Sequence, residues 1–186
     1  MTLRIKSTKR VAGLFAVSFC LALPGLSYAK MPGEPVGSVE AKIGDATYKG
    51  KTFDAPGQDA SSASFQAAGP LTTVTIQAHD PDAPSMMENV FGIQITLNEK
   101  KASAPVFDAS LSYWPGGMKK PFYVTENSGV QTKITFDEMT FDGDTANMKG
   151  SFSGKLCKKK NFMSETDTSD CLPVEGTFDT ALRSGN

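Results

Sequence analysis

Histidine, tryptophan and cysteine are scarce in this sequence. Its 186 residues include one histidine, one tryptophan and three cysteines. Enzymes that activate a serine or cysteine nucleophile need a base beside it, usually histidine, and the chain also lacks a G-x-S-x-G segment. Pairs of carboxylates occur, but sequence proximity does not place two of them across a cleft. We therefore expect a protein that is not an enzyme and that carries no cofactor.

Long apolar runs are also missing. The longest extends from Val11 to Leu23, about 13 residues, whereas a helix needs roughly 20 residues to span a bilayer. Four basic residues precede this run, and the small residues Ser27 and Ala29 follow it. This arrangement is typical of a secretory signal peptide with small residues at the cleavage site. We expect residues 1–29 to be removed and the mature protein to be periplasmic or secreted, without a membrane span.

Positive charge is not concentrated anywhere in the expected mature chain. The first 29 residues hold four of the 19 basic residues and none of the 20 acidic ones, which leaves 15 against 20 and a net charge of −5. The one basic run, Lys158 to Lys160, precedes several acidic residues and is interpreted as a solvated loop. Nucleic-acid binding depends on clustered lysine and arginine, so we expect no nucleic-acid partner.

Two cysteines remain after the expected cleavage. Cys157 and Cys171 are an even number in an exported chain, which predicts one disulfide closing a loop of 15 residues. A redox-active or metal-binding pair would favour C-x-x-C spacing, so a structural role is the better interpretation. The chain-entropy model assigns about 3 kcal/mol to a loop of this length.

Short segments of alternating apolar and polar residues recur along the chain, separated by glycine, proline and aspartate. Residues 71–78 and 91–97 are the clearest, and residues 105–114 place Phe107, Leu111 and Tyr113 in phase. No segment of the mature chain has a convincing helical period. The pattern predicts an all-β fold, an antiparallel β-sandwich or partly open barrel of about 8–10 short strands with one disulfide. We expect an extended lead-in over residues 30–37 and one domain over residues 38–186.

Two features of this prediction concern individual strands. Between residues 130 and 141 the apolar phase slips from one face to the other, which indicates a β-bulge or bend. The last two strands form a hairpin joined by the disulfide, and glycines share the apolar phase of both arms, leaving room for bulky neighbours. The glycines are Gly150, Gly154 and Gly176, and their in-phase neighbours are Met148, Phe152, Leu156, Val174, Phe178 and Leu182.

Aromatic residues concentrate between residues 113 and 123. Tyr113, Trp114 and Tyr123 flank a glycine-containing loop between two expected strands. Aromatic side chains displayed on such a loop offer a large contact area at low entropic cost. They are candidate binding residues for another envelope protein or a glycan. Alternatively, Trp114 covers one end of the core.

The single histidine provides a different candidate. His79 is followed by Met86 and Met87, and imidazole with thioethers suits Cu(I). The same residues could serve a small organic ligand. Oxygen ligands in the turn at Asp142, Asp144 and Asn147 would instead suit calcium, but their spacing is not that of the twelve-residue calcium loop.

Residues 80–85, with the sequence D-P-D-A-P-S, resemble a segment of the phosphatidylethanolamine-binding protein family. These are β-proteins with an anion-binding pocket that the segment helps to line. The resemblance implies that Asp80, Asp82 and Pro84 lie at such a pocket. The pocket of that family also uses histidines from elsewhere in the chain. This sequence has no second histidine and no G-x-H-R-Y-like segment. A turn between two strands explains the same composition.

Taken together, these patterns predict an exported, non-enzymatic binding or structural module of the cell envelope. The alternative is a periplasmic copper-binding or small-ligand-binding protein centred on His79, Met86 and Met87.

Overall fold

A computed structural model describes residues 33–185. These residues form eleven β-strands and one turn of 3-10 helix, Pro56–Gln58, so the all-β prediction is confirmed. The expected signal peptide lies outside the described residues, and no helix among those described is long and apolar enough to cross a membrane. The strands are β1 (Glu34–Ile43), β2 (Ala46–Ala55), β3 (Ala60–Ser61), β4 (Ala63–Ala68), β5 (Leu71–His79), β6 (Val90–Leu97), β7 (Val106–Trp114), β8 (Phe122–Val124), β9 (Lys133–Asp142), β10 (Thr145–Lys159) and β11 (Asp167–Ser184).

Eight of these strands close into a ring of hydrogen-bonded neighbours. The order around the ring is β2, β1, β11, β10, β8, β7, β6 and β5, and β5 pairs with β2 to complete it. β3 adds to β2, β9 adds to β10, and β4 lies between β5 and the end of β11. All pairs are antiparallel except the short contact between β4 and β11. The strand count slightly exceeds the expected 8–10 because it includes two-residue β3.

Alternate side chains of the ring strands point inwards and form one core. The inward residues of β5 and β6 were predicted from their period-two pattern and are fully or almost fully buried. Apolar side chains are buried there because transferring each from water contributes roughly 1.5–3 kcal/mol. These residues are Val74, Ile76, Ala78, Phe91, Ile93, Ile95 and Leu97.

The long hairpin of β10 and β11 contributes two adjacent walls of the ring. Their registers place Gly150 opposite Phe178 and Phe152 opposite Gly176. A Cβ at Gly150 would lie 2.9 Å from Phe178 Cζ, and one at Gly176 would lie 2.6 Å from Phe152 Cζ. Each phenyl ring therefore occupies the space above the glycine of the opposite strand, as the sequence predicted.

The disulfide between Cys157 and Cys171 is confirmed. The two cysteines are directly paired across β10 and β11, at the last regular row before the connecting loop. Cys157 is fully buried, whereas Cys171 is half-buried. The disulfide thus fixes the base of the loop formed by residues 160–166.

Two β-bulges change which residues face the core. In β9 the register with β10 shifts at Asp137, which turns Ile134, Phe136 and Met139 to the same core, so the predicted bulge is confirmed. In β7 the register with β6 also shifts, because Leu97 pairs with Val106 and Thr96 with Asp108. Phe107 is the extra residue and is 68% exposed. Its predicted inward orientation was therefore wrong, since the period-two pattern counted through a bulge.

Candidate binding sites

Three loops lie at one end of the ring because the strands they connect are antiparallel neighbours. They comprise residues 80–89, 115–121 and 160–166, and we call this region the loop end. The loop-end side chains of Met87, Met118 and Met163 are 50%, 54% and 94% exposed. The described methionines of the strands, Met139 and Met148, are instead buried in the core. Among residues 33–185, exposed thioethers are therefore confined to the loop end.

The structure brings His79 and Trp114 into one cross-strand row. His79 of β5 pairs with Val90 of β6, and Val90 pairs with Trp114 of β7. All three side chains belong to the outer face of the ring, since their neighbours Ala78 and Phe91 point inwards. With a strand spacing of about 4.8 Å, the backbones of His79 and Trp114 are roughly 10 Å apart. Two candidate sites that the sequence left separate are thus neighbours.

Trp114 is part of an aromatic stack on the outer face. Its ring lies 3.9 Å from that of Phe122, with an interplanar angle of 9°, and Phe162 packs against both at 5.3 Å. Within the stack, the Phe122 side chain is buried, Trp114 is half-buried and Phe162 is 58% exposed. The sequence did not reveal Phe162 as a partner, because it reaches Trp114 only through the disulfide-bonded hairpin.

Tyr113 and Tyr123 face away from Trp114. They pair across β7 and β8 and pack against the core. The Tyr113 ring lies 5.9 Å from that of Tyr48, and its hydroxyl donates a 2.7 Å hydrogen bond to Asn89 Oδ1. Burial raises the pKa of Tyr113 above its ordinary value. The structure therefore does not unite the three predicted binding residues, and of these three only Trp114 lies on the outer face.

A polar depression lies on the outer face of β5 to β8 and begins at the next outward-facing row, formed by Gln77, Gly92 and Ser112. It has a volume of about 240 Å³ and lies over Gly92. A Cβ at Gly92 would lie 2.5 Å from Ser112 Oγ, so a larger residue would fill the depression. The amide and hydroxyl side chains around it make no hydrogen bond with any described residue. These side chains are Thr75, Gln77, Gln94, Ser110 and Ser112.

A second depression of about 240 Å³ brings together His79, Met86 and Met87, the three residues of the predicted metal site. Phe53 and Ala55 of β2 form its opposite wall. His79 is only 8% exposed, and its Nδ1 lies 2.8 Å from the carbonyl oxygen of Met86. We call this depression the methionine pocket.

The loop of residues 80–89 is held by its own polar groups. The Asp80 carboxylate accepts a 2.9 Å hydrogen bond from the Asp82 backbone N–H and another from the Asn89 amide. Asn89 has a left-handed backbone, with φ of 52°, a conformation that asparagine tolerates better than most residues. The segment that resembles the phosphatidylethanolamine-binding proteins is therefore a tight turn.

Asp80 and Asp82 also line a surface cleft of about 450 Å³, which Lys49 and Lys51 line as well. Pro84, the third residue that the resemblance implied, does not line it. Among the described residues, no group of three histidine, cysteine, aspartate or glutamate side chains could hold a metal ion, and this includes the turn at Asp142.

Comparison with family models, curated proteins and solved structures found no match to this chain. The structure itself defines the class, an all-β protein with a ring of strands, one disulfide and two small depressions on its outer face.

Proposed function

We propose that this is an exported, non-enzymatic binding protein of the cell envelope that binds a glycan on the outer face of β5 to β8. The observation that carries the proposal is the polar depression over Gly92. Its neutral amide and hydroxyl groups have no partner among the described residues, and Trp114 lies two residues along β7 from Ser112, on the same face.

The chemistry of these side chains matches that of a sugar. Glutamine offers two donors and an acceptor, and serine and threonine both donate and accept. Sugar hydroxyls have the same dual character, so a neutral oligosaccharide can pair with groups that otherwise bond to water. The side chains stand on a sheet rather than on a mobile loop, which lowers the entropy lost on binding. Trp114 adds a rigid apolar surface beside them.

Export is supported by two independent features. Residues 1–29 have the pattern of a secretory signal. The chain also contains a disulfide, and disulfides persist mainly in oxidising compartments such as the periplasm or the medium.

The test is binding of the mature, oxidised protein to neutral oligosaccharides released from an envelope extract. Gln94→Ala combined with Ser112→Ala should weaken binding about tenfold or more, since lost hydrogen bonds contribute about 1 kcal/mol each. Gln131→Ala is the matched control, because Gln131 is exposed and lies outside the outer face of β5 to β8.

Two results would contradict the glycan proposal. One is that no oligosaccharide binds, and the other is that the double variant binds as well as the wild type. If the same extract yields a protein partner whose capture requires Trp114 and Phe162 but not Gln94, the binding function remains and its partner is a protein.

A further inference from the structure

We infer that the methionine pocket is a binding site for a soft monovalent metal ion, Cu(I), with His79 Nε2 and the thioether sulfurs of Met86 and Met87 as ligands. This inference is independent of the proposed glycan site, because it concerns different ligands and the variants that should weaken Cu(I) binding leave Gln94 and Ser112 unchanged.

The hydrogen bond of His79 selects the ligand atom. A carbonyl oxygen can only accept, so the 2.8 Å contact with Met86 requires that Nδ1 carries the proton. In the neutral imidazole Nε2 then holds the lone pair. Metal-binding histidines commonly donate their other N–H to a carbonyl or carboxylate, which fixes the ring and increases its basicity. His79 already has this arrangement.

The donor set specifies the kind of ion. Thioethers and an imidazole are neutral and include two soft donors, a combination that favours Cu(I) over ions that prefer carboxylates. None of the described residues that line the methionine pocket carries a formal charge in this tautomer. Divalent calcium or magnesium would find no carboxylate among these lining residues. A singly charged ion also costs less to desolvate beside Phe53 and Ala55 than a doubly charged one.

The backbone that carries the two methionines is pre-organised. The Met87 N–H donates a 3.2 Å hydrogen bond to Ser85 Oγ, and the Glu88 N–H donates a 3.0 Å bond to the Ser85 carbonyl. Asn89 anchors the end of the loop, since its N–H donates to the Pro115 carbonyl at 3.3 Å. The flexible methionine side chains can therefore adjust around an ion while the loop stays fixed.

The loop end provides an internal control. Met118 and Met163 are more exposed than the lining residues His79 and Met86, and they do not line the methionine pocket. If thioethers bound Cu(I) merely because they are accessible, these two methionines would bind it as well as Met86 and Met87.

The experiment is an anaerobic titration of the mature, oxidised protein with an acetonitrile complex of Cu(I), without thiol reductants so that the disulfide stays intact. We expect one bound equivalent. Met86→Leu combined with Met87→Leu should lower the affinity at least tenfold, and His79→Phe should do the same. Met118→Leu combined with Met163→Leu should leave the affinity unchanged, as should the Gln94→Ala and Ser112→Ala pair. Binding should shift the ring C–H resonances of His79 in the NMR spectrum.

The inference is overturned if the folded wild type binds no Cu(I). It is equally overturned if binding survives in the Met86/Met87 variant and is lost in the Met118/Met163 variant, which would indicate adsorption at exposed thioethers. Should His79→Phe fail to fold, the Met86/Met87 pair decides, because replacing methionine by leucine conserves volume and polarity. Failure of oligosaccharide binding leaves these outcomes unaffected.

Discussion

Gly150 and Gly176 show how a single missing side chain permits close packing of β10 and β11 against their other neighbours, β9 and β1. A Cβ at either position would collide with a backbone carbonyl of the neighbouring strand, Thr135 for Gly150 and Glu40 for Gly176, as well as with a phenyl ring. Backbone cannot move aside as a flexible side chain can. Gly176→Ala should therefore lower the free energy of unfolding by about 3 kcal/mol, measured by urea denaturation.

Gly57→Ala is the control for this prediction. No atom lies within 4 Å of the position that its Cβ would occupy, so the substitution should change the free energy of unfolding by less than about 0.5 kcal/mol. If Gly176→Ala were as harmless as Gly57→Ala, the close approach of β1 and β11 would not exist in solution.

Tyr48 should make the free energy of unfolding fall as the pH rises above 10. Burial raises its pKa well above the ordinary value of 10.0, and its hydroxyl donates a 2.7 Å hydrogen bond to the Ala78 carbonyl. In the unfolded chain the phenol ionises near pH 10, whereas in the folded protein it stays protonated. The unfolded state therefore binds fewer protons above pH 10, and stability falls by about 1.4 kcal/mol per pH unit.

Tyr48→Phe tests this dependence. At pH 7 the variant should be about 0.5–1.5 kcal/mol less stable, because it lacks the hydrogen bond. Above pH 10 the wild type loses stability through Tyr48 and the variant does not, so the difference should shrink and then reverse. Parallel urea titrations at pH 7, 10 and 11 measure it, and a constant difference would show that Tyr48 ionises normally in the folded protein.

The element that sequence reasoning described best is the terminal hairpin. Its arms, its disulfide and the inward positions of Phe152 and Phe178 all follow from period-two alternation and cysteine parity. The same reasoning misplaced Phe107, because Phe107 is the extra residue of a bulge, whereas Leu111 and Tyr113 beyond the bulge face the core as predicted. In β9 the slip was visible, since apolar residues occupied both phases. In β7 the slip was not visible in the sequence. The extra residue, Phe107, is a large aromatic residue in phase with Leu111 and Tyr113, so the alternation of β7 looks regular.

Cys157→Ala combined with Cys171→Ala should lower the free energy of unfolding by about 2–5 kcal/mol, the usual cost of losing a native disulfide in a small exported domain. The comparison is urea denaturation of the variant and of the oxidised wild type. Because the disulfide fixes the base of residues 160–166, the fluorescence of Trp114 should also change as Phe162 loosens from it. An unchanged free energy of unfolding in urea would refute the stabilising role.

At the scale of the whole molecule, the sequence indicated the fold class but not the ring. Local alternation identifies strands, whereas the pairing of β8 with β10 and of β2 with β5 depends on contacts between distant segments. The proximity of His79 and Trp114 also could not be predicted from local alternation, because it depends on the registers of β5 with β6 and of β6 with β7. The sequence grouped His79, Met86 and Met87, and these residues line one depression, since one short loop joins them. It could not predict the polar depression, whose residues come from four strands.

The ring has a weak seam between β2 and β5, and the methionine pocket lies across it. The two strands share a single residue pair, Lys51 with His79. Ser62 bridges the gap, because its N–H donates to the Phe53 carbonyl at 2.9 Å and its carbonyl accepts from the Gln77 N–H at 2.7 Å. The long β10–β11 ladder has no comparable gap along its paired rows from Thr145 to Cys157. Local opening with the lowest free energy is therefore expected at this seam.

Amide hydrogen exchange tests the seam and the ion together. Without metal, the amides of Ser62 and Gln77 should exchange faster than those of the central rows of β10 and β11. An ion that binds the closed pocket but not the open seam stabilises the closed form by about 2.7 kcal/mol at a free concentration 100 times its dissociation constant. Cu(I) should therefore slow exchange at Ser62 and Gln77 about 100-fold, and the Met86→Leu and Met87→Leu variant should not respond. Equal protection of the seam and the hairpin without metal would show that the ring closes as firmly at β2 and β5 as elsewhere.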